Sequence, residues 1–303
     1  MKLTFLGTGA GVPSKERNVT SIVLHLMNKE NNMWLFDCGE ATQHQILHSS
    51  VKITKINKIF ITHTHGDHLY GLPGLLSSRS FQGATTPLTI YAPKGVSAFI
   101  ESALSVSQTF LTYSLEVLEV NETGVLFNGE DAKVTVGTLD HGVLSLGFRV
   151  EQRDTPGSLL MDKVTKAGIP SGPHLKELKS AREVTLPDGR TVNGKEFIGP
   201  PQKGKSVTIL GDTRHTKNLF PLASDVDTLV HESTFAKSEE ALAQAYFHST
   251  ASQAAALAKE AGVRQLILTH ISPRYQDSHI LAEEARALFP NTYVASDFST
   301  FLI

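Results

Sequence analysis

Cysteine is nearly missing from this chain, which has only Cys38 among its 303 residues. One cysteine cannot form an internal disulfide, and this usage fits a reducing compartment. The formal net charge is only −2, so no overall basic field attracts nucleic acid, and a polyanionic partner would need a local basic patch. The sequence contains neither a membrane-length apolar run nor a signal peptide. We therefore expect a soluble, cytoplasmic protein without membrane contact.

Histidine is concentrated where an apolar run that is rich in β-branched residues, 59–62, ends. Residues two apart in an extended segment point to the same side, so His63 and His65 can reach one metal ion together. Gly66 permits a sharp turn, after which Asp67 and His68 face a second position. Buried structural zinc more often uses cysteine in closed four-ligand sites. The pattern therefore predicts a reactive centre, and favours two metal ions over one.

Further candidate ligands also follow predicted strands, namely His141, Asp212 and His270. Any one histidine could instead be a core residue that is bonded to a carbonyl group. With the first four, however, they make seven ligands, which exceeds the need of one tetrahedral zinc and suits two ions that share a carboxylate. Such two-metal sites hydrolyse phosphate esters by in-line attack of a bridging hydroxide.

Apolar runs separated by helical patterns predict an α/β fold with two β-sheets face to face, helices outside, and the site along one edge. Gly7, Gly9 and Gly11 follow the first strand, but Pro13 interrupts the expected helix, so no nucleotide cofactor is predicted. The predicted helices are 42–47, 69–77, 93–103, 249–261 and 278–288. The predicted strands are 2–6, 20–26, 33–36, 56–62, 88–91, 117–120, 132–138, 206–210, 228–230, 265–269 and 292–295.

Residues 151–205 differ from the rest in composition, because they contain 13 glycines and prolines and carry a charge of +3. Periodicity is weak, and the stretch around Gly168, Pro170, Gly172 and Pro173 is stiff and turn-prone. A mobile surface loop is one interpretation. We favour a protruding arm that binds a polyanion, since long insertions in compact domains are often functional.

The residues 63–68, His-Thr-His-Gly-Asp-His, match the H-x-H-x-D-H signature of the metallo-β-lactamase superfamily. Within it the chain resembles the ribonuclease Z family of tRNA 3′-processing endonucleases over essentially its full length. The more specific matches are 13–18, 36–40, 231–234 and 248–250. Ser233 departs from the family's usual alanine and changes no ligand. The resemblance implies a four-layer αββα sandwich, one domain over 1–303, in which 151–205 is a flexible tRNA-binding arm that includes Gly168, Pro170, Gly172 and Pro173.

The resemblance also implies a role for each site residue. His63, His65 and His141 would bind one Zn²⁺, with Mn²⁺ as an alternative metal. His68 and His270 would bind the second, and Asp212 would lie between them. Asp67 would ligate the second ion and orient or deprotonate the bridging water. His248, supported by Glu232, would protonate the leaving ribose oxygen. Lys15, Arg17 and Asn18 would lie near the 3′ end of a precursor tRNA, although they could simply be polar side chains in contact with solvent. A homodimer is expected.

Two other functions remain open from the sequence. A small-molecule hydrolase of the same superfamily, above all a phosphodiesterase, could use the same two-metal centre on a small diester. A metal-free RNA-binding or scaffold subunit could use the same fold, but that hypothesis expects eroded ligands, whereas all seven are present. The interpretation that we favour is a zinc-dependent endoribonuclease that cuts precursor tRNA after the discriminator nucleotide and leaves a 3′ hydroxyl.

Overall fold

The computed structural model describes residues 1–28, 30–155 and 157–303. The chain divides into two units, of which the larger comprises Met1–Val150 with Ser206–Ile303 and the smaller comprises Glu151–Lys205. Elements are numbered in chain order. The first half of the larger unit contains β1 (Lys2–Gly7), β2 (Ser21–His25), β3 (Met33–Phe36), α1 (Thr42–Leu47), β4 (Ile56–Phe60), α2 (Gly66–Leu69), α3 (Leu72–Phe81), β5 (Leu88–Ala92), α4 (Val96–Val106) and β6 (Leu115–Glu119).

The chain continues with β7 (Gly124–Asn128), β8 (Ala132–Leu139) and β9 (Ser145–Gln152), and then enters the smaller unit with α5 (Met161–Lys166), α6 (His174–Leu178), β10 (Glu183–Thr185) and β11 (Thr191–Asn193). The remainder of the larger unit contains β12 (Ser206–Leu210), α7 (Phe220–Ala223), β13 (Thr228–Glu232), α8 (Glu240–Ala245), α9 (Ala251–Glu260), β14 (Gln265–Thr269), α10 (His279–Leu288), β15 (Thr292–Val294) and β16 (Thr300–Leu302).

Two seven-stranded sheets form the centre of the larger unit, with the orders β16-β1-β2-β3-β4-β5-β6 and β15-β14-β13-β12-β9-β8-β7. Their inner faces share one apolar core, in which Phe60 of the first sheet packs 5.2 Å from Phe148 of the second, ring centre to ring centre. The outer face of the first sheet packs against α1, α3 and α4, and that of the second against α7, α9 and α10. The fold is therefore a four-layer αββα sandwich, as the sequence predicted.

Most strands that precede the candidate ligands run parallel to their neighbours, whereas β8, which precedes His141, pairs antiparallel with β7. Parallel pairing holds for β3 to β6 in one sheet and for β12 to β15 in the other. Because the carboxyl ends of parallel strands meet at one edge, the loops after β4, β12, β13 and β14 converge there. The helix α9 starts close to that edge, where Thr250 and Gln253 form a capping box at its N-terminus.

Some predicted boundaries were wrong. The helix predicted over 69–77 is instead the short α2 followed by α3, and Pro73 lies in the first turn of α3, where its missing N–H costs nothing. The helix predicted from Pro93 begins only at Val96. Strands β7, β9 and β16 were not predicted. Two of them, β7 and β16, are short and largely exposed, so they lack an apolar pattern. No helix in the described ranges combines the length and hydropathy that a bilayer crossing needs.

The smaller unit has its own apolar core, formed by Val164, Ile169, Leu178, Val184, Leu186 and Phe197. It contains α5, α6 and the antiparallel hairpin of β10 with β11. The sequence predicted none of these elements, because runs of three to six residues are too short to show periodicity. Pro156 of this segment lies outside the described residues. The flexibility of the segment and its binding to tRNA stay predictions.

Candidate metal centre and active site

The first group of ligand atoms comes from the loops after β4 and β8. Nδ1 of His65 lies 3.1 Å from Nε2 of His63 and 3.2 Å from Nε2 of His141. The three nitrogens lie within 4.8 Å of one another. Burial and the neighbouring His68 hold the pKa of His63 well below its usual value. This ring is therefore neutral, which is the form that binds a metal.

A second group is formed by Asp67, His68 and His270. Oδ2 of Asp67 lies 3.4 Å from Nε2 of His68 and 3.4 Å from Nε2 of His270. The two imidazole nitrogens are themselves 3.3 Å apart. All three side chains are buried. As predicted from Gly66, the chain turns sharply here, in the form of α2.

Asp212 lies between the two groups. Its Oδ2 is 3.6 Å from Nε2 of His63, and 3.5 Å and 3.2 Å from Nε2 of His68 and His270. Imidazole nitrogens and carboxylate oxygens that face one another at such distances, away from water, fit cations between them. The seven predicted ligands are thus brought together, with Asp212 in the position of a shared carboxylate. The residues present fit two metal ions.

Three of the candidate histidine ligands are oriented through their other ring nitrogen. Nδ1 of His63 contacts Oγ1 of Thr62 at 3.0 Å, and Nδ1 of His270 contacts Oγ1 of Thr234 at 2.9 Å. Nδ1 of His141 donates to the carbonyl oxygen of Phe247 at 2.9 Å. Such outer bonds fix the tautomer and the direction of a ligand, so a metal meets rings that are already positioned.

Sequence reasoning missed the role of Asp37. This buried carboxylate follows β3, accepts from Nδ1 of His68 at 2.7 Å and from the backbone N–H of Thr62 at 2.7 Å, and has a left-handed φ of 57°. A charged residue directly after an apolar strand was the available signal. Gly11 was missed as well, although its backbone N–H donates to Oδ2 of Asp67 at 2.8 Å.

Glu232, which is buried, and His248, which is partly buried, form a pair beside the two ligand groups. Nδ1 of His248 donates to Oε1 of Glu232 at 2.9 Å. The same carboxylate accepts from the N–H of Thr213 at 2.9 Å and from Oγ1 of Thr234 at 2.6 Å. Burial alone would lower the pKa of His248, but the charge and hydrogen bond of Glu232 raise it to about 9. The raised pKa favours the protonated imidazole, and Nε2 is the nitrogen that does not face Glu232.

The predicted substrate-binding residues differ in exposure and in their contacts with the rest of the protein. Lys15 is exposed on the loop between β1 and β2. The guanidinium of Arg17 donates to Oγ1 of Thr8 at 2.7 Å and to the carbonyl oxygen of Ala295 at 2.6 Å, so it also supports the protein itself. Asn18 donates to the carbonyl oxygen of Glu40 at 2.8 Å. Gly168, Pro170 and Pro173 are exposed in the smaller unit, with Gly172 partly buried.

A cleft of about 370 Å³ opens onto both ligand groups. His65, Asp67, Asp212 and His248 reach its wall, together with the exposed Tyr246. Both ligand groups and His248 therefore face the same space. The arrangement is suited to hydrolysis of a phosphate ester, with a carboxylate near the attacking water and a proton donor near the leaving group.

Comparison with known proteins places the chain in a family. Ribonuclease Z of Bacillus cereus (strain G9842) is 55% identical over 303 residues, which cover 99% of both chains. Ribonuclease Z of Geobacillus kaustophilus is 54% identical over 100% of this chain and 99% of its own. The crystal structure of human tRNase Z, short form, superposes with a TM-score of 0.72 at 30% identity, covering 100% of this chain and 99% of that one.

Two further similarities concern the fold. A family described as "Anti-Pycsar protein Apyc1" matches residues 1–120. The metallo-beta-lactamase fold protein YhfI of Bacillus subtilis superposes with a TM-score of 0.67 at 18% identity, covering 99% of this chain and 98% of its own. The full-length identity to the curated relatives is the more specific finding. The chain therefore belongs to the ribonuclease Z family, and it is an endoribonuclease with the metallo-β-lactamase fold.

Proposed function

We propose that this protein removes the 3′ trailer of precursor tRNA by cutting after the discriminator nucleotide, and that it leaves a 3′ hydroxyl on the tRNA. Relatives named ribonuclease Z and tRNase Z support a role in tRNA 3′ processing. The observation that carries the mechanism is the pair of ligand groups joined by Asp212, with His248 and Glu232 beside them. A homodimer is part of the proposal and is supported by family membership alone.

Two divalent cations, Zn²⁺ or Mn²⁺, fit this ligand set. His63, His65 and His141 would hold one ion, Asp67, His68 and His270 the other, and Asp212 both. When bound, the ions supply positive charge at the phosphate and lower the pKa of water to about 7. Asp67, which is fixed by the N–H of Gly11, would orient the attacking water and accept its proton.

The leaving group sets the need for His248. Hydrolysis that leaves a 3′ hydroxyl breaks the bond between phosphorus and the ribose 3′ oxygen, so that oxygen must gain a proton. His248 would donate it from Nε2, while Nδ1 stays bonded to Glu232. General acid catalysis of this kind contributes about 10²- to 10⁴-fold to a rate.

A small-molecule phosphodiesterase is the second candidate, because the cleft of about 370 Å³ is large enough to hold a small diester. The two functions differ in the leaving group and in the size of the substrate. The aryl oxide of an activated diester is a weak base, so this leaving group needs little protonation by His248. A tRNA also needs a binding surface beyond the cleft, for which the basic segment 151–205 is proposed.

The test combines metal analysis with two cleavage assays on the purified protein. We expect two metal ions per chain, one cut after the discriminator nucleotide, and a 3′ hydroxyl that is open to periodate oxidation on the product. Bis(p-nitrophenyl) phosphate is assayed in parallel. Hydrolysis of the small diester without any cut in precursor tRNA would replace the proposal by the second candidate. A 3′ phosphate on the tRNA product would contradict the proposed direction of bond cleavage.

A further inference from the structure

Arg214 lies two residues after Asp212 and contacts the loop that carries His141. Its Nε and Nη2 atoms donate to the carboxylate of Asp140, with an Nη2 to Oδ1 distance of 3.0 Å and an Nη2 to Oδ2 distance of 2.9 Å. The backbone N–H of Arg214 also donates to the carbonyl oxygen of Asp140 at 2.9 Å. Arg214 therefore holds both the side chain and the backbone of the residue before His141.

The same guanidinium also contacts the loop that carries His248. Its Cζ atom lies 4.2 Å from the centre of the Phe247 ring. The carbonyl oxygen of Phe247 accepts the hydrogen bond from Nδ1 of His141. Phe247 has a φ of 61°, which is rare for a bulky side chain and persists only where neighbouring contacts enforce it.

These contacts close a ring in space through Arg214, Asp140, His141 and Phe247. Arg214 is suited to this place because its planar fork matches a carboxylate while its face stacks on an aromatic ring. A partly exposed ion pair contributes little to global stability, and the side chains of Arg214 and Asp140 are 24% and 37% exposed. The contact therefore acts mainly on the positions of the two loops that carry His141 and His248.

We infer that Arg214 is a positioning residue, which holds the Phe247–His248 segment in place so that His248 meets the leaving oxygen. The inference rests on the proposed function, because the role of His248 as proton donor belongs to it. The step itself is a proton transfer from Nε2 of His248 to the ribose 3′ oxygen as the bond from phosphorus to that oxygen breaks. A misplacement of about 1 Å in such a step can cost about 10²-fold in rate.

The test is a double-mutant cycle of Arg214→Met with His248→Ala, measured in single turnovers on precursor tRNA. One substrate has the natural 3′ oxygen at the cut, and the other has sulfur in its place, because a thiolate leaves without a proton. We expect Arg214→Met to slow the oxygen substrate about 10- to 100-fold. In the His248→Ala background it should change the rate less than about 2-fold. Cleavage of the sulfur substrate should slow by less than about 3-fold in either single variant.

Two further variants separate positioning from folding. Arg214→Lys keeps the positive charge but lacks the planar guanidinium. It should therefore cleave the oxygen substrate at least about 5-fold more slowly than the wild type. Arg264→Met removes an arginine that is 70% exposed and pairs with Asp227 at 3.2 Å, and should cut both substrates at the wild-type rate. Thermal unfolding and metal content should match those of the wild type in all five variants, the double mutant included.

Equal losses on the oxygen and sulfur substrates, or the same loss with and without His248, would overturn the inference. Loss of bound metal in Arg214→Met would overturn it too, since Arg214 would then act through His141 alone. If His248→Ala left the oxygen substrate unaffected, the proton-donor role in the proposed function would fall, and the inference with it. If His248→Ala slowed cleavage of the oxygen substrate while Arg214→Met cut it at the wild-type rate, the inference would be overturned and the proposed function would stand.

Discussion

Nδ1 of His68 donates to Oδ2 of Asp37 at 2.7 Å, deep in the protein and 31 residues away in sequence. The carboxylate directs Nε2 of His68 toward Asp67 and Asp212, and an outer hydrogen bond of this kind makes an imidazole a better metal ligand. We expect Asp37→Asn to weaken zinc binding about 10- to 100-fold, because the amide keeps the shape and loses the charge. Competition with a chromogenic chelator measures the affinity.

The matched control for that variant is Asp131→Asn, which changes an exposed aspartate whose carboxylate accepts a hydrogen bond from Nδ2 of Asn28 at 2.9 Å. It should bind zinc like the wild type. Wild-type zinc affinity in Asp37→Asn would show that hydrogen-bond geometry alone, without the charge, is enough to position His68.

Glu232 is expected to matter for RNA and little for an activated diester. Its two oxygens accept from His248, Thr213 and Thr234, so an amide at this position would turn an N–H₂ group toward a donor. Glu232→Gln should therefore slow precursor tRNA cleavage about 100-fold. Hydrolysis of bis(p-nitrophenyl) phosphate, whose leaving group needs no proton, should fall less than about 5-fold. Equal losses on both substrates would mean that Glu232 supports the metal centre instead.

Gly39 lets two backbone segments approach closely beneath the site. A Cβ atom there would lie 2.4 Å from the carbonyl oxygen of Asp67 and 2.5 Å from Cγ2 of Val19. Gly39→Ala should therefore destabilise the fold by about 1–3 kcal/mol and displace Asp67. Gly124→Ala on the edge strand β7, where nothing lies within 4 Å of a Cβ, is the control. Urea unfolding measures both, and equal stability of the two variants would contradict the prediction.

The convergence of the candidate metal ligands could be predicted from sequence because each of them follows an apolar strand or lies in the compact His-Thr-His-Gly-Asp-His run. Parallel strands then bring such positions to one edge. Asp37 also follows an apolar strand, but its role and that of Gly11 could not be assigned, since their partners His68 and Asp67 are distant in sequence and become neighbours only after folding. The contacts of Arg17 with Ala295 likewise join the two ends of the chain.

The small elements of residues 151–205 were missed for a different reason. Helices of five or six residues and strands of three residues carry one or two apolar side chains each, which no periodicity can reveal. Composition alone marked the segment as separate from its surroundings. Its small apolar core appears only when α5, α6 and the hairpin come together.

His25 should make stability depend on pH. Burial, with the charge of Lys2, lowers the pKa of His25 to about 4, and Nε2 contacts Oγ1 of Thr4 at 3.0 Å. The folded state therefore favours the neutral ring. Its contribution is fully present above about pH 6.5 and is lost as the pH falls toward 4. Between pH 7.5 and pH 5 this amounts to about 2 kcal/mol of unfolding free energy.

His25→Gln removes the titrating group and keeps a hydrogen-bonding side chain. Its loss of stability between pH 7.5 and pH 5 should be about 2 kcal/mol smaller than that of the wild type. His44→Gln, at an exposed position of α1, should show the wild-type difference. Urea unfolding at the two pH values gives both numbers. An unchanged difference in His25→Gln would mean that His25 does not favour its neutral form in the folded protein.

Removal of residues 151–205 should separate RNA cleavage from the chemistry of the centre. The N–H of Gln152 donates to the carbonyl oxygen of Lys205 at 2.8 Å, so a linker of a few residues can join the two ends. We expect precursor tRNA cleavage to fall more than about 100-fold because the proposed phosphate contacts are lost. Hydrolysis of bis(p-nitrophenyl) phosphate should stay within about 3-fold of the wild type, since all seven ligands remain. Unimpaired tRNA cleavage after the deletion would refute the proposed arm.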